Sequence, residues 1–257
     1  MNRGVIFLKI FVLDKYRFAC ILLALFSVAL LLVASLSPTA KEDRLLPVYS
    51  VDTDEKVLSI TFDCAWTAED IPLILSTLSR YNCRATFFVV GSWAEKYPEC
   101  VKLIYESGHE VAGHSYNHAH YNSLSEEELV SDMDKCDDVI KAITGENIPI
   151  FRAPYGEYNN TVVKAATSSG RTLIQWDADS LDWKDLTGDE MIKRIMPKIK
   201  NGSIILFHNG TKHTASALPS ILDRLVSEGY SFKSVGDMIY YDNYEIDHEG
   251  RQKAVNR

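Results

Sequence analysis

Positive charge is in short supply in this chain of 257 residues. Its 27 Lys and Arg stand against 35 Asp and Glu, a formal net charge of −8 with a pI near 5.4. That balance argues against nucleic acid as a partner, because a phosphate backbone is held through clustered Lys and Arg. Cysteine is scarce as well. Of five, Cys20 falls in an apolar stretch, and Cys64, Cys83, Cys100 and Cys136 lack close framework spacing. An extracytoplasmic location would permit disulfides, but the connectivity cannot be read from spacing, and buried free thiols are expected for Cys83, Cys100 and Cys136. Internal repeats and low-complexity blocks are missing too. What is present in quantity is apolar chain: 46% hydrophobic content can bury one sizeable core.

Charge vanishes altogether from Phe18 to Leu36, which is 36 − 18 + 1 = 19 residues. That is near the roughly 20 residues that cross about 30 Å of hydrocarbon. Arg3, Lys9, Lys15 and Arg17 precede the stretch, and Lys41 and Arg44 follow it. The excess on the short side places residues 1–17 in the cytoplasm and the rest outside, as a single-pass protein of the cell membrane. The small residues Ala34 to Ala40 invite cleavage, but Pro38 sits awkwardly and the run exceeds a signal-peptide core, so an uncleaved signal anchor is expected.

Residues 37–56 read as a linker, and from Val57 strands and helices alternate. Val57 to Asp63 is a strand. Ile71, Ile74, Leu75 and Leu78 then form one helical face within 68–81. Ala85 to Val90 is a nearly continuous apolar run, suited to a parallel strand buried on both sides. Residues 92–107 read as a helix and 108–113 as a short apolar strand ending in a glycine, and Ser125 to Glu128 is a capping box opening a long helix that Gly145 ends. Strands at 148–151, 172–176, 203–207 and 232–235 alternate with helices at 160–169, 187–200 and 217–228, with a last helical turn at 235–240. Such alternation means parallel strands with right-handed crossovers, and about seven strands suit a closed or nearly closed (β/α) barrel. Residues 241–257 lack apolar periodicity and read as a frayed tail.

The chemistry-bearing residues gather at strand ends. His114-Ser115-Tyr116-Asn117-His118 follows a short apolar strand, and four of the seven histidines lie between His109 and His120. Two imidazoles four residues apart can face one way from a helical turn and share a metal; alone, such a pair is more often a polar surface loop. Asp63, Arg152, Asp177, Asp179 and His208 also fall at or just past the C-terminal ends of strands, which share one rim in a barrel. Carboxylates, an arginine and histidines on one rim are the components of a metal-assisted hydrolase.

These residues occur in five stretches: Thr61-Phe62-Asp63, His114 to His118, Arg152-Ala153-Pro154-Tyr155, Asp179-Ser180-Leu181-Asp182-Trp183 and Ile205-Leu206-Phe207-His208. In that order they resemble the motifs of the polysaccharide deacetylases, the NodB-homology superfamily or carbohydrate esterase family four, over residues 57–240. The resemblance implies a partly irregular (β/α) barrel that hydrolyses N-acetyl groups of GlcNAc- or MurNAc-containing polymers, with peptidoglycan or another glycan as its partner. It implies that His114 and His118 bind a divalent metal, zinc first, with cobalt or manganese as alternatives. Asp63 would be the general base, held by Arg152; His208 would protonate the leaving amine, oriented by Asp179. The backbone N–H of Tyr155 would help hold the oxyanion, and Trp183 and Leu206 would form a slot for the acetyl methyl. A monomer is expected.

One position departs from the family pattern. A second aspartate usually follows the base as a metal ligand, and here Cys64 stands there, followed by Ala65 and Trp66. A Cys64 thiolate could ligate zinc at about 2.3 Å, or the shorter side chain could turn into the barrel wall; the altered Ala65-Trp66 turn favours the wall. The same departure keeps open a second reading, a weak or inactive relative retained as a glycan-binding or morphogenetic protein.

Overall fold

The computed structural model describes residues 14–35, 43–147 and 149–255, with backbone alone for residues 15 and 28–35. The chain divides into two units, Met1–Asp43 and Arg44–Arg257. In the first, α1 (Lys15–Ser35) is a helix of 21 residues whose described side chains are exposed, Phe18, Leu23 and Phe26 among them. Among the described residues no helix is long and apolar enough to cross a membrane. The side chains of the expected 18–36 span are described only as far as Ser27, and residues 36–42 lie outside the described set.

The second unit begins with β1 (Ser50–Val51) and β2 (Val57–Cys64), followed by α2 (Ile71–Arg80), β3 (Thr86–Val89), α3 (Gly91–Lys96), α4 (Pro98–Glu106) and β4 (Glu110–Gly113). Then come α5 (Glu126–Thr144), β5 (Ile150–Phe151), α6 (Asn160–Ser168), β6 (Thr172–Leu173), β7 (Ala178–Asp179), α7 (Gly188–Ile195) and β8 (Ile204–His208). The chain finishes with α8 (Thr214–Ser227), β9 (Ser231–Phe232), α9 (Val235–Met238), β10 (Tyr244–Ile246) and β11 (Arg251–Ala254).

Seven strands form one curled sheet in the order β6-β5-β4-β3-β2-β8-β7, with β9 paired to β2. Every pair in it is parallel, so all C-terminal ends meet at one rim, as the alternation of strands and helices requires. β2 is buried along its whole length, which explains its run of apolar and small polar residues. The pleat sorts its two faces. Phe62 is in register with Phe87 and Phe207 on the flanking strands, and the rings pack at 4.9 and 5.8 Å between centroids. One residue on, Asp63 is in register with Phe88 and His208 on the opposite face.

Four segments differ from the sequence reading. The expected linker holds β1, and Val48 and Ser50 are buried, bridged to Ile174 and Ser203; the stretch lies along the barrel rather than leading up to it. The expected tail is a hairpin: β11 pairs with β10 antiparallel and with β1 in parallel, and Gln252 is buried on the Tyr240 backbone. Its register comes from hydrogen bonds rather than an apolar stripe, so no periodicity announces it. The helix expected at 92–107 breaks at Tyr97, because Pro98 disfavours helical backbone before it. His114 to His118 is a loop instead of a helical turn, with Ser115 (φ 66°) and His118 (φ 56°) in the left-handed region. The capping box at Ser125 and Glu128 forms as expected.

Candidate active site

The site grows from the inward row of the pleat. Asp63 and His208 sit opposite each other on β2 and β8, and Arg152 reaches Asp63 from the end of β5. Its guanidinium is fully buried and crosses the barrel interior, with Nη1 donating to Asp63 Oδ1 (2.7 Å) and Thr61 Oγ1 (2.9 Å), and Nη2 to the Gln175 carbonyl (3.0 Å). The rings of Phe88 and Trp176 flank it at 4.1 and 5.4 Å. Burial alone would push the Asp63 carboxyl up, but the Arg152 guanidinium first, with His208, outweighs it and holds it below the usual carboxylate range.

His208 is tuned the other way. Asp182 accepts from its Nδ1 (2.7 Å, Oδ1) and from its backbone N–H (2.7 Å, Oδ2). Burial opposes the imidazolium, yet the Asp182 hydrogen bond and charge, with Asp63 and Asp179, raise the imidazole above its ordinary value. Asp182 is itself fully buried and also accepts from Trp183 N–H (2.9 Å) and Thr214 Oγ1 (2.6 Å). Here the sequence expectation is corrected: Asp182, and not Asp179, orients His208. Leu181 takes a left-handed φ of 52°, which turns Asp182 back to β8, while Asp179 Oδ1 accepts from Leu181 N–H at 2.8 Å. Asp179 still lines the pocket. Asp177 does not; it accepts from Ser203 Oγ and Ile204 N–H.

The two motif histidines converge. Their rings lie 5.1 Å apart, and burial is the main cause that lowers both, His118 to about 4, so both are neutral near pH 7. His114 Nδ1 is 2.8 Å from the Arg152 carbonyl. A carbonyl only accepts, so Nδ1 carries the proton and Nε2 presents a lone pair, 3.4 Å from Asp63 Oδ2. An imidazole with its Nε2 lone pair free, beside a second neutral imidazole, suits a cation, and the backbone-oriented Nδ1 is typical of a ligating histidine. Among the described residues no group of three or more His, Cys, Asp or Glu is arranged to hold a metal. His109 and His120 take no part. His109 lies at the far end of β4, accepting from Ala85 N–H, and His120 bonds Glu157 and stacks on Tyr155.

Cys64 is not brought to the site. β2 continues through it, so pleat parity turns it away from Asp63 into the apolar cluster of Phe62, Ile71 and Leu78. Burial, reinforced by the Asp63 charge, pushes its thiol well up, which disfavours the thiolate a metal needs. A ligand role for Cys64 therefore lacks the direction it needs.

A cavity of about 390 Å³ opens over these groups. Tyr155, Trp183 and Leu206, named from the sequence, line it, and so do Trp66, Trp176 and Leu181, which were not. The signal for Trp66 lay in the altered turn after Cys64; Trp176 reads in sequence as plain strand core.

A family model described as polysaccharide deacetylase matches residues 50–174. The chain is 33% identical over 202 residues to the peptidoglycan-N-acetylglucosamine deacetylase PgdA of Listeria monocytogenes, covering 79% of this chain but 42% of that protein. It is 31% identical to a peptidoglycan-N-acetylglucosamine deacetylase of Bacillus cereus, over 75% of this chain and 92% of that one. Among solved structures, a family 4 carbohydrate esterase pseudoenzyme from Bacillus anthracis superposes with a TM-score of 0.72 at 29% identity, over 82% of this chain and 73% of that one. A mutant of that pseudoenzyme with restored enzymatic activity gives 0.72 at 32%, over 81% and 72%. With its motifs on one rim and these relatives beside it, the chain belongs to the polysaccharide deacetylase family.

Proposed function

We propose that this protein is a metal-dependent N-deacetylase of N-acetylated glycan, peptidoglycan being the substrate named for its relatives, attached to the cell membrane by residues 18–36 with its barrel outside. The observation that carries the reading is the opposed tuning of Asp63 and His208 on one ladder rung. A base biased toward its ionised form and an acid biased toward its protonated form suit amide hydrolysis near neutral pH. Asp63, steadied by Arg152, takes the proton from the attacking water. His208 gives a proton from Nε2 to the departing amine, since Nδ1 is engaged by Asp182. Leu206 and Trp183 receive the acetyl methyl. His114 and His118 are the residues that would hold a divalent cation, which would supply Lewis acidity and make water more acidic.

The second reading, an inactive glycan-binding relative, is favoured by the missing carboxylate at Cys64 and by the pseudoenzyme neighbour. The test is acetate release from peptidoglycan and chito-oligosaccharide by the detergent-solubilised full chain, with and without chelator, alongside metal content. Release abolished by chelator and restored by zinc supports the enzyme; bound glycan without release supports the inactive relative.

A further inference from the structure

Trp66 belongs to none of the roles assigned so far. It is a large apolar side chain, 46% exposed, on the loop that links β2 to α2, and it lines the catalytic cavity. Its ring lies 5.3 Å from that of His208, tilted by 48°. The loop is held there from the other side. Asn209 Nδ2 donates to the Thr67 carbonyl, and Gly210 N–H donates to Asp70 Oδ2 at 2.7 Å. Gly210 is left-handed at φ 67°, and a Cβ on it would come within 3.1 Å of Trp66 Cβ and Thr67 N. The loop and the turn after β8 are thus fitted to one another, and the indole is presented beside the acid.

The other pocket tryptophans are engaged differently. Trp176 is half-buried under the Arg152 guanidinium, and Lys184 Nζ stands 4.9 Å over the Trp183 ring. If the acetyl methyl enters between Trp183 and Leu206, and the amine leaves at His208, the sugar carrying that amine extends outward past His208. Trp66 stands there. An exposed indole offers an apolar face to the C–H face of a pyranose.

We infer that Trp66 is a specificity-determining stacking residue for the pyranose ring that carries the scissile amide, selecting N-acetylated glycan over small acetamides. The inference rests on the deacetylase reading and is tested apart from it. Chitopentaose is titrated calorimetrically into the full chain carrying Asp63→Asn, which blocks turnover, with and without Trp66→Ala. Affinity is expected to fall about tenfold in the alanine variant, the order of one aromatic contact, and to recover largely in Trp66→Phe. With Asp63 intact, the loss in Trp66→Ala falls on KM for the oligosaccharide more than on kcat. Equal affinity with and without the indole overturns the inference while leaving the deacetylase reading intact. So does an unchanged Kd with a shifted pH profile, which makes Trp66 only a shield for His208. A parent chain that neither binds nor deacetylates the glycan overturns both.

Discussion

At the scale of single residues, the site works by pushing two titratable groups apart across one rung of the sheet. Asp63 must be ionised to accept a proton and is held below the carboxylate range; His208 must be charged to donate one and is held above its ordinary value. Activity should therefore persist down through mildly acid pH and fall on the alkaline side as His208 deprotonates. Asp63→Asn and His208→Ala should each lower kcat by about 10²-fold or more, with metal content near that of the parent. Loss of the metal in His208→Ala would place that imidazole among the ligands instead. Asp182→Asn removes the largest favourable influence on His208, so the alkaline limb of kcat/KM should move to lower pH. Asp179→Asn should move it less, because Asp179 acts only through space. The reverse ranking would restore Asp179 as the orienting group. Asp182 was within reach of the sequence, three residues along the same motif. What hid its role is the left-handed Leu181, a non-glycine conformation with no mark in the letters. Cys64 teaches the opposite lesson: a position inherited from a motif says nothing about direction when the strand runs one residue further. Cys64→Ser should leave zinc affinity unchanged and cost about 1–3 kcal/mol of stability, a hydroxyl replacing a thiol in an apolar cluster; a large loss of zinc would reinstate the ligand.

At the scale of elements, what could be read in advance was whatever carried apolar periodicity. β2, α2, β3 and α5 follow from runs and stripes that only one local geometry can bury, and the rim follows from their parallel order. The segments that escaped are held by polar contacts. β1 and β11 pair through Tyr49 N–H on the Gly250 carbonyl and Asp52 N–H on the Gln252 carbonyl, both 2.8 Å. Arg251 Nε adds a bond to Asp52 Oδ1 at 3.0 Å. Gln252 then locks the hairpin, accepting from Tyr240 N–H at 2.8 Å and donating to its carbonyl at 2.6 Å. Gln252→Ala removes both bonds from a fully buried site and should destabilise the domain by about 1–3 kcal/mol, read as a lower denaturant midpoint with an unchanged m-value. A variant as stable as the parent would mean that the hairpin is frayed in solution, as its composition alone suggests.

At the scale of the whole molecule, the sequence divides its labour sharply: an uncharged run near the start, then an acidic globular barrel with its chemistry on one rim. The described part of α1 exposes Phe18, Ile21, Leu22, Leu23, Leu25 and Phe26. Such an array is costly in water and favourable in hydrocarbon. The orientation proposed from its flanking charge bias, with the short side in the cytoplasm, would bring the barrel to the glycan that its relatives deacetylate. Two measurements on cells expressing the full chain bear on this. If residues 18–36 are the anchor, the protein should sediment with membranes and resist high salt and carbonate, because an apolar helix is not released by screening surface charge. Protease added to intact protoplasts should then digest the barrel and leave a short membrane-embedded fragment. Full protection of the barrel would reverse the orientation. Recovery of a shortened mature form in the medium, with its N-terminus at residues 35–41, would make the run a cleaved leader and leave the barrel free of the membrane.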